Sequence, residues 1–222
     1  MSNTLKKVYE RLHVVFGPQQ WWPGESPFEV LVGAVLVQNT AWTNVERAIA
    51  NLRDAGVLTP RALYALAEKE LAELIRPAGY CQVKARRLRN LLNLVVEEYD
   101  GSLDAMFSTD LATLREQLLG VSGIGSETAD AILLYAANKA TFVVDTYTHR
   151  ILARHGWIGY DADYHEIKDH FESSLPPDER LYNEYHALLV RLGKDYCRKT
   201  GPKCEACPLA DLLPASGIIE PF

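Results

Sequence analysis

Residues 121–129 read Val-Ser-Gly-Ile-Gly-Ser-Glu-Thr-Ala, and Asp145 stands 18 positions beyond Glu127. A Gly-apolar-Gly turn between two helical patterns is a helix–hairpin–helix signature. Gly123 and Gly125 can take positive φ and let the backbone come close to a ligand. The turn's N–H groups, with the start of the helix that opens near Ser126, make an anion site suited to one DNA phosphate. The bland alternative is a helix C-cap followed by a new helix. A carboxylate at Asp145 can stabilise developing positive charge and orient or deprotonate water. It can equally cap a helix over 147–155. Three cysteines, Cys197, Cys204 and Cys207, lie together near the C-terminus, with Cys81 far from them. Such clustering, without a secretion signal, points to metal rather than disulfides.

The elements that must position these groups are helical nearly throughout. Ser26-Pro27-Phe28-Glu29 is a helix start, with Ser at N-cap, Pro at N1 and Glu at N3 closing a capping box. Val30, Leu31, Ala34, Val35 and Val37 make the helix that follows apolar on most faces, hence central. Thr59-Pro60 opens another helical region, spread over two short helices. Residues 82–99 are amphipathic, with Val83, Leu88, Leu91, Leu92 and Val95 inward and a basic cluster of Lys84, Arg86, Arg87 and Arg89 outward. Leucines at 111, 114, 118 and 119 precede the hairpin, and Ile132, Leu133 and Tyr135 follow it. Residues 147–155 and 181–195 form two more helices. The β-like run at 141–144 is too isolated to make a sheet.

The 222 residues can bury a real core, as one large domain or two small lobes. No apolar run reaches membrane-spanning length, so a cytoplasmic protein is expected. The net charge of −6 argues against a binder that relies on bulk charge for nucleic acid. It leaves room for a DNA enzyme with its basic residues on one face, here 84–89 or Arg198, Lys199 and Lys203. Either cluster can also be an ordinary solvated helix face.

The hairpin together with Phe142-Val143-Val144-Asp145-Thr146 resembles the helix–hairpin–helix DNA glycosylases of the endonuclease III superfamily, over almost the whole chain. The resemblance implies an all-α, two-lobed fold. A six-helix barrel with the hairpin would span 26–137. Residues 1–25 and 138–222 would form a discontinuous N/C-terminal lobe ending in a cysteine cluster loop. It also implies a DNA cleft between the lobes with Asp145 at its mouth, damaged double-stranded DNA as partner, and a monomer. Asp145 would stabilise the oxocarbenium-like sugar as the N-glycosidic bond breaks. Bifunctional members carry a Lys where this chain has Glu127. A carboxylate cannot form a Schiff base, so base excision without AP lyase activity is expected.

Glu127 within Gly125-Ser126-Glu127-Thr128-Ala129-Asp130 looks like the 3-methyladenine branch of that superfamily. By the same match Trp21 and Trp42 would form the two faces of a slot for the flipped base, with Trp22 and Pro23 shaping its floor. Electron-rich indoles attract a cationic methylpurine, which is also a good leaving group. The alternative is that the tryptophans are large core residues. Gln38 resembles the plug that fills the gap left by the extruded nucleotide. Tyr80, in Gly79-Tyr80-Cys81-Gln82, resembles the wedge in the opposite strand, with Gln82 beside it and Lys84 as a phosphate contact. These positions could instead belong to an ordinary polar helix connection.

The tail Cys197-x6-Cys204-x2-Cys207 matches the start of the family's iron–sulfur loop, but its fourth position is Leu213. The expectation is a [4Fe-4S] cluster with three Cys ligands and a non-Cys fourth, drawn from Asp211, Tyr196 or water, with zinc or no metal as the alternatives. His186 is a candidate second-sphere donor to it, or a structural histidine. The functional expectation is a monofunctional glycosylase for alkylated purines. Its rivals are a glycosylase for oxidised or deaminated pyrimidines and a non-catalytic binder of damaged DNA.

Overall fold

A computed structural model describes residues 2–22 and 24–220. All its regular elements are helical: α1 (Ser2–Phe16), α2 (Pro27–Leu36), α3 (Trp42–Asp54), α4 (Pro60–Ala65), α5 (Glu68–Leu74), α6 (Cys81–Asn93), α7 (Leu103–Ser108), α8 (Leu111–Gly120), α9 (Ser126–Ala131), α10 (Thr146–Arg154), α11 (Tyr164–Glu172) and α12 (Glu179–Asp195). Short π-helical segments continue α6 over Leu94–Glu98 and α9 over Ile132–Ala136. Contacts divide the chain into two compact units, Trp22–Lys139 and Met1–Trp21 with Ala140–Phe222.

In Trp22–Lys139, α2 is the central helix, buried from Phe28 to Leu36. Its start is local chemistry: the Glu29 N–H donates to Ser26 Oγ at 3.2 Å, with Pro27 at N1. The Glu29 carboxylate does not close the box. It is buried and takes Arg53 of α3 at 2.9 Å, because a buried carboxylate needs a charged partner more than a helix start needs a second cap. The 59–75 region divides into α4 and α5 as its spacing suggests. In α6 Leu88, Leu91 and Leu92 are buried, followed by Val95, but Val83 is 43% exposed and lies outside the core. The hydrophobic stripe therefore begins with Ala85 rather than Val83.

The other unit is built on α12. Tyr185, fully buried, donates its hydroxyl to Leu5 O of α1 at 2.9 Å. Gly193 lets the Tyr147 ring of α10 lie directly on the α12 backbone, where any Cβ would collide with it. Residues 141–144 are buried without pairing as a strand. Phe142 N–H donates instead to Glu172 Oε1 of α11 at 2.7 Å, and the Phe142 ring stacks on Phe171 at 3.8 Å. A side chain thus satisfies the backbone that a sheet would otherwise satisfy. Helix α11 was not expected. Asp163-Tyr164-His165-Glu166, a reciprocal capping box in the structure, was the sequence signal for it.

Candidate DNA-repair site

The hairpin sits between α8 and α9. Gly123 has φ +96°, and a Cβ there would run into Arg87 of α6. Gly125 needs no positive φ. It is the N-cap of α9 in extended geometry (φ −96°), and its missing Cβ leaves open space beside the first N–H groups of the helix. Ile124 anchors the turn inward, and Asn90 donates to Ser122 O at 2.9 Å. Arg115 of α8 grips the fully buried Asp130 of α9 through two bonds of 2.8 and 3.2 Å. The two flanking helices are thereby locked together. Glu127 lies in the first turn of α9 and is exposed.

Gln38 is held against this hairpin. Its Nε2 donates to Thr128 Oγ1 at 2.9 Å and approaches Gly123 O at 3.4 Å, while its Oε1 accepts from Arg87. Tyr80, at the N-cap of α6, is 74% exposed in left-handed geometry (φ 47°), and Gln82 is exposed beside it. Tyr80 is thus a large aromatic held out of the core on a left-handed backbone.

Lys84 is a correction. It is 1% exposed, and its ammonium donates to Leu36 O and to Ala78 O, both at 2.8 Å. Burial, with help from Arg87, lowers its pKa. It ties the end of α2 to the turn before α6, with its ammonium turned into the interior rather than toward solvent. Arg89 likewise turns inward to Tyr64 O and Leu66 O, with its guanidinium over the Tyr64 ring. Of the four cations read as an outward cluster, only Arg86 is exposed.

Trp22 meets Trp42 edge to face at 5.2 Å and Tyr135 at 5.1 Å, with the two indoles against Gly33 of α2. Trp42 Nε1 is buried with no hydrogen-bond partner. Trp21 belongs to the other unit, where Lys194 Nζ lies 5.8 Å from its ring centroid. Pro23 lies outside the described residues. Tyr135 was read only as part of the helix after the hairpin. Its partnership with Trp22 depends on α2 packing against 132–136, which no local spacing reveals.

Asp145 is the N-cap of α10. Its Oδ1 accepts the Thr148 N–H at 2.7 Å, and its Oδ2 lies 3.6 Å from His186 Nε2 of α12. Burial pushes this carboxyl up, but His186 and the Thr148 N–H outweigh it and hold it below the usual carboxylate range. Close by, Arg150, Lys194, Arg198 and Lys199 line a cleft of about 370 Å³ with no carboxylate among its lining residues.

In the tail, Cys197 is buried, and Arg154 Nη1 approaches its sulfur at 3.6 Å. The same guanidinium donates to Arg198 O at 2.7 Å and pairs with Glu220 at 2.9 Å. Burial raises the thiol pKa of Cys204 and of Cys207. Asp211, one expected fourth ligand, is taken by Arg11, and Tyr196 packs its ring against Phe16. Leu213 offers no donor. Among the described residues no three His, Cys, Asp or Glu side chains are placed to hold one ion. Three positions of the family's four-cysteine loop are thiols here, and Leu213 at the fourth supplies no donor. His186 is not directed at the cysteines but at Asp145.

A family model described as "HhH-GPD superfamily base excision DNA repair protein" matches residues 32–177. The chain belongs to this superfamily. It is 48% identical over 207 residues, covering 92% of this chain and 93% of the other, to a Methanocaldococcus jannaschii protein provisionally named a DNA repair glycosylase. Endonuclease III trapped as a covalent intermediate with DNA shares its fold, with a TM-score of 0.82 at 23% identity over 96% of this chain and 95% of that one. The H. pylori 3-methyladenine DNA glycosylase bound to 1,N6-ethenoadenine superimposes with a TM-score of 0.71 at 29% identity, over 87% and 95% of the two chains. The chain is thus a DNA glycosylase of the HhH-GPD superfamily with the all-helical endonuclease III-like fold. No described helix of this glycosylase is long and apolar enough to cross a membrane.

Proposed function

We propose that this glycosylase is monofunctional, excising an alkylated purine from double-stranded DNA and leaving the strand intact. The observation that carries the reading is Glu127. The first turn of α9 presents a carboxylate where a strand-cleaving relative would present an amine, and a carboxylate has no lone pair on nitrogen to form an imine. Asp145 is the residue assigned to the sugar. As the bond to C1′ breaks, its electron pair leaves on the base. Water then adds its oxygen to C1′, and the proton passes through the carboxylate to solvent. The low pKa of Asp145 favours this role because the group stays charged while positive charge grows on the sugar.

The alkylated-purine reading is supported by the Trp22, Trp42 and Tyr135 cluster, whose ring faces attract a cationic base, and by the likeness to the 3-methyladenine glycosylase. Gly123 and Gly125 are assigned to a backbone phosphate, Gln38 to the vacated base position, and Tyr80 and Gln82 to the opposite strand. The test is base release from duplexes bearing 3-methyladenine, 7-methylguanine, ethenoadenine, thymine glycol or uracil, each with and without hot alkali. Release of the methylpurines, with strand breaks only after alkali and no borohydride-trapped adduct, is expected. Release confined to thymine glycol or uracil would refute the purine reading, and efficient trapping would refute the monofunctional one.

A further inference from the structure

We propose that His186 is a positioning residue for the Asp145 carboxylate, aiming its Oδ2 for the reaction. The inference rests on the reading that Asp145 acts on the sugar. The two oxygens of Asp145 have different surroundings. Oδ1 accepts the Thr148 N–H at 2.7 Å, the bond that starts α10. Oδ2 remains for chemistry, and it lies 3.6 Å from His186 Nε2.

Both side chains are nearly enclosed, at 12% exposed for Asp145 and 7% for His186. A carboxylate so placed takes up a proton unless donors or positive charge oppose it. The nearby cations of α10 are committed elsewhere: Arg150 donates to Cys197 O at 2.8 Å, and Arg154 to the tail carbonyls. His186 faces Oδ2 from α12, whose position is set by Tyr185 on α1 and by Gly193 under Tyr147. Its ring is therefore carried on a rigid element. At 3.6 Å the contact is longer than a closed hydrogen bond, so it orients Oδ2 without consuming the lone pair that water or the sugar requires.

The experiment compares wild type with Asp145→Asn, His186→Leu and His186→Gln. It measures single-turnover base release from a 7-methylguanine duplex, or from whichever panel base the wild type releases fastest. Binding to a duplex with a tetrahydrofuran abasic analogue and thermal melting are read alongside. His186→Leu should slow release roughly 10- to 100-fold, the scale of misaligning a group that must act on the reacting centre, while abasic-analogue affinity stays within about threefold. His186→Gln, which restores an N–H donor near the Nε2 position, should recover to above about a tenth of the wild-type rate. A Leu variant within about twofold of wild type, or Leu and Gln variants equally slow, would overturn the proposal. Should the Leu variant fail to fold, the Gln variant decides alone on the same one-tenth threshold. Asp145→Asn separates the two layers of inference: wild-type turnover in that variant overturns the Asp145 reading itself, whatever His186 does.

Discussion

Lys84→Met separates an internal strut from a DNA contact. The ammonium is 1% exposed and serves two carbonyls, Leu36 O and Ala78 O, at 2.8 Å each. Methionine keeps most of the aliphatic stem and volume but leaves both acceptors without that donor. An unsatisfied buried acceptor costs about 1–3 kcal/mol, so two cost about 2–6 kcal/mol. Removing a charge from a buried place gives part of this back, and a net loss of about 2–4 kcal/mol is expected. For a chain of this size that corresponds to a fall in Tm of roughly 4–16 °C. Urea unfolding should show a lower midpoint with an unchanged slope. Binding to an abasic-analogue duplex, measured by anisotropy between low and moderate salt at a temperature where both proteins are folded, should keep its slope against log salt. A lysine that neutralised a phosphate would behave oppositely: stability would hold, affinity would drop, and the salt slope would shrink by about 0.9. That second pattern would refute the strut assignment.

Other consequences are equally direct. Gly123→Ala should cost at least ~1 kcal/mol, because φ +96° and Arg87 both oppose a Cβ, whereas Gly125→Ser should leave stability within ~0.5 kcal/mol and weaken DNA binding alone. Trp42→Ala should slow release of a cationic methylpurine by about 0.5–2 kcal/mol more than release of a neutral base, and equal losses in single turnover would leave the indole a packing role only. The depressed pKa of Asp145 adds stability that is present above its unfolded value and lost as pH falls through the lower folded value, so Asp145→Asn should flatten the acid limb of thermal stability. Arg154→Met should loosen the tail, seen as faster proteolysis after 197, more than Cys204→Ser does. Equal loosening by the two variants would refute a tail held chiefly by Arg154.

What could be read from the amino-acid sequence is what local chemistry decides. Ser26-Pro27 and Thr59-Pro60 start helices because a side-chain oxygen and a fixed φ act within a few residues. Gly123 marks a left-handed turn for the same reason, and the helical periodicity gave the all-α class. The direction taken by long or polar side chains was decided only in the tertiary structure. Lys84 turned inward because α2 ends with an open carbonyl within reach, a fact belonging to a residue 48 positions away. Glu29 left its capping role for Arg53, 24 positions on, and Arg87 came to lie over Gly123 and hold Gln38. The approach of His186 to Asp145 likewise exists only once α12 packs against α10. Turns and caps need only their neighbours, whereas a flexible side chain satisfies its charge on whatever partner folding brings near it, and sequence spacing does not encode that partner.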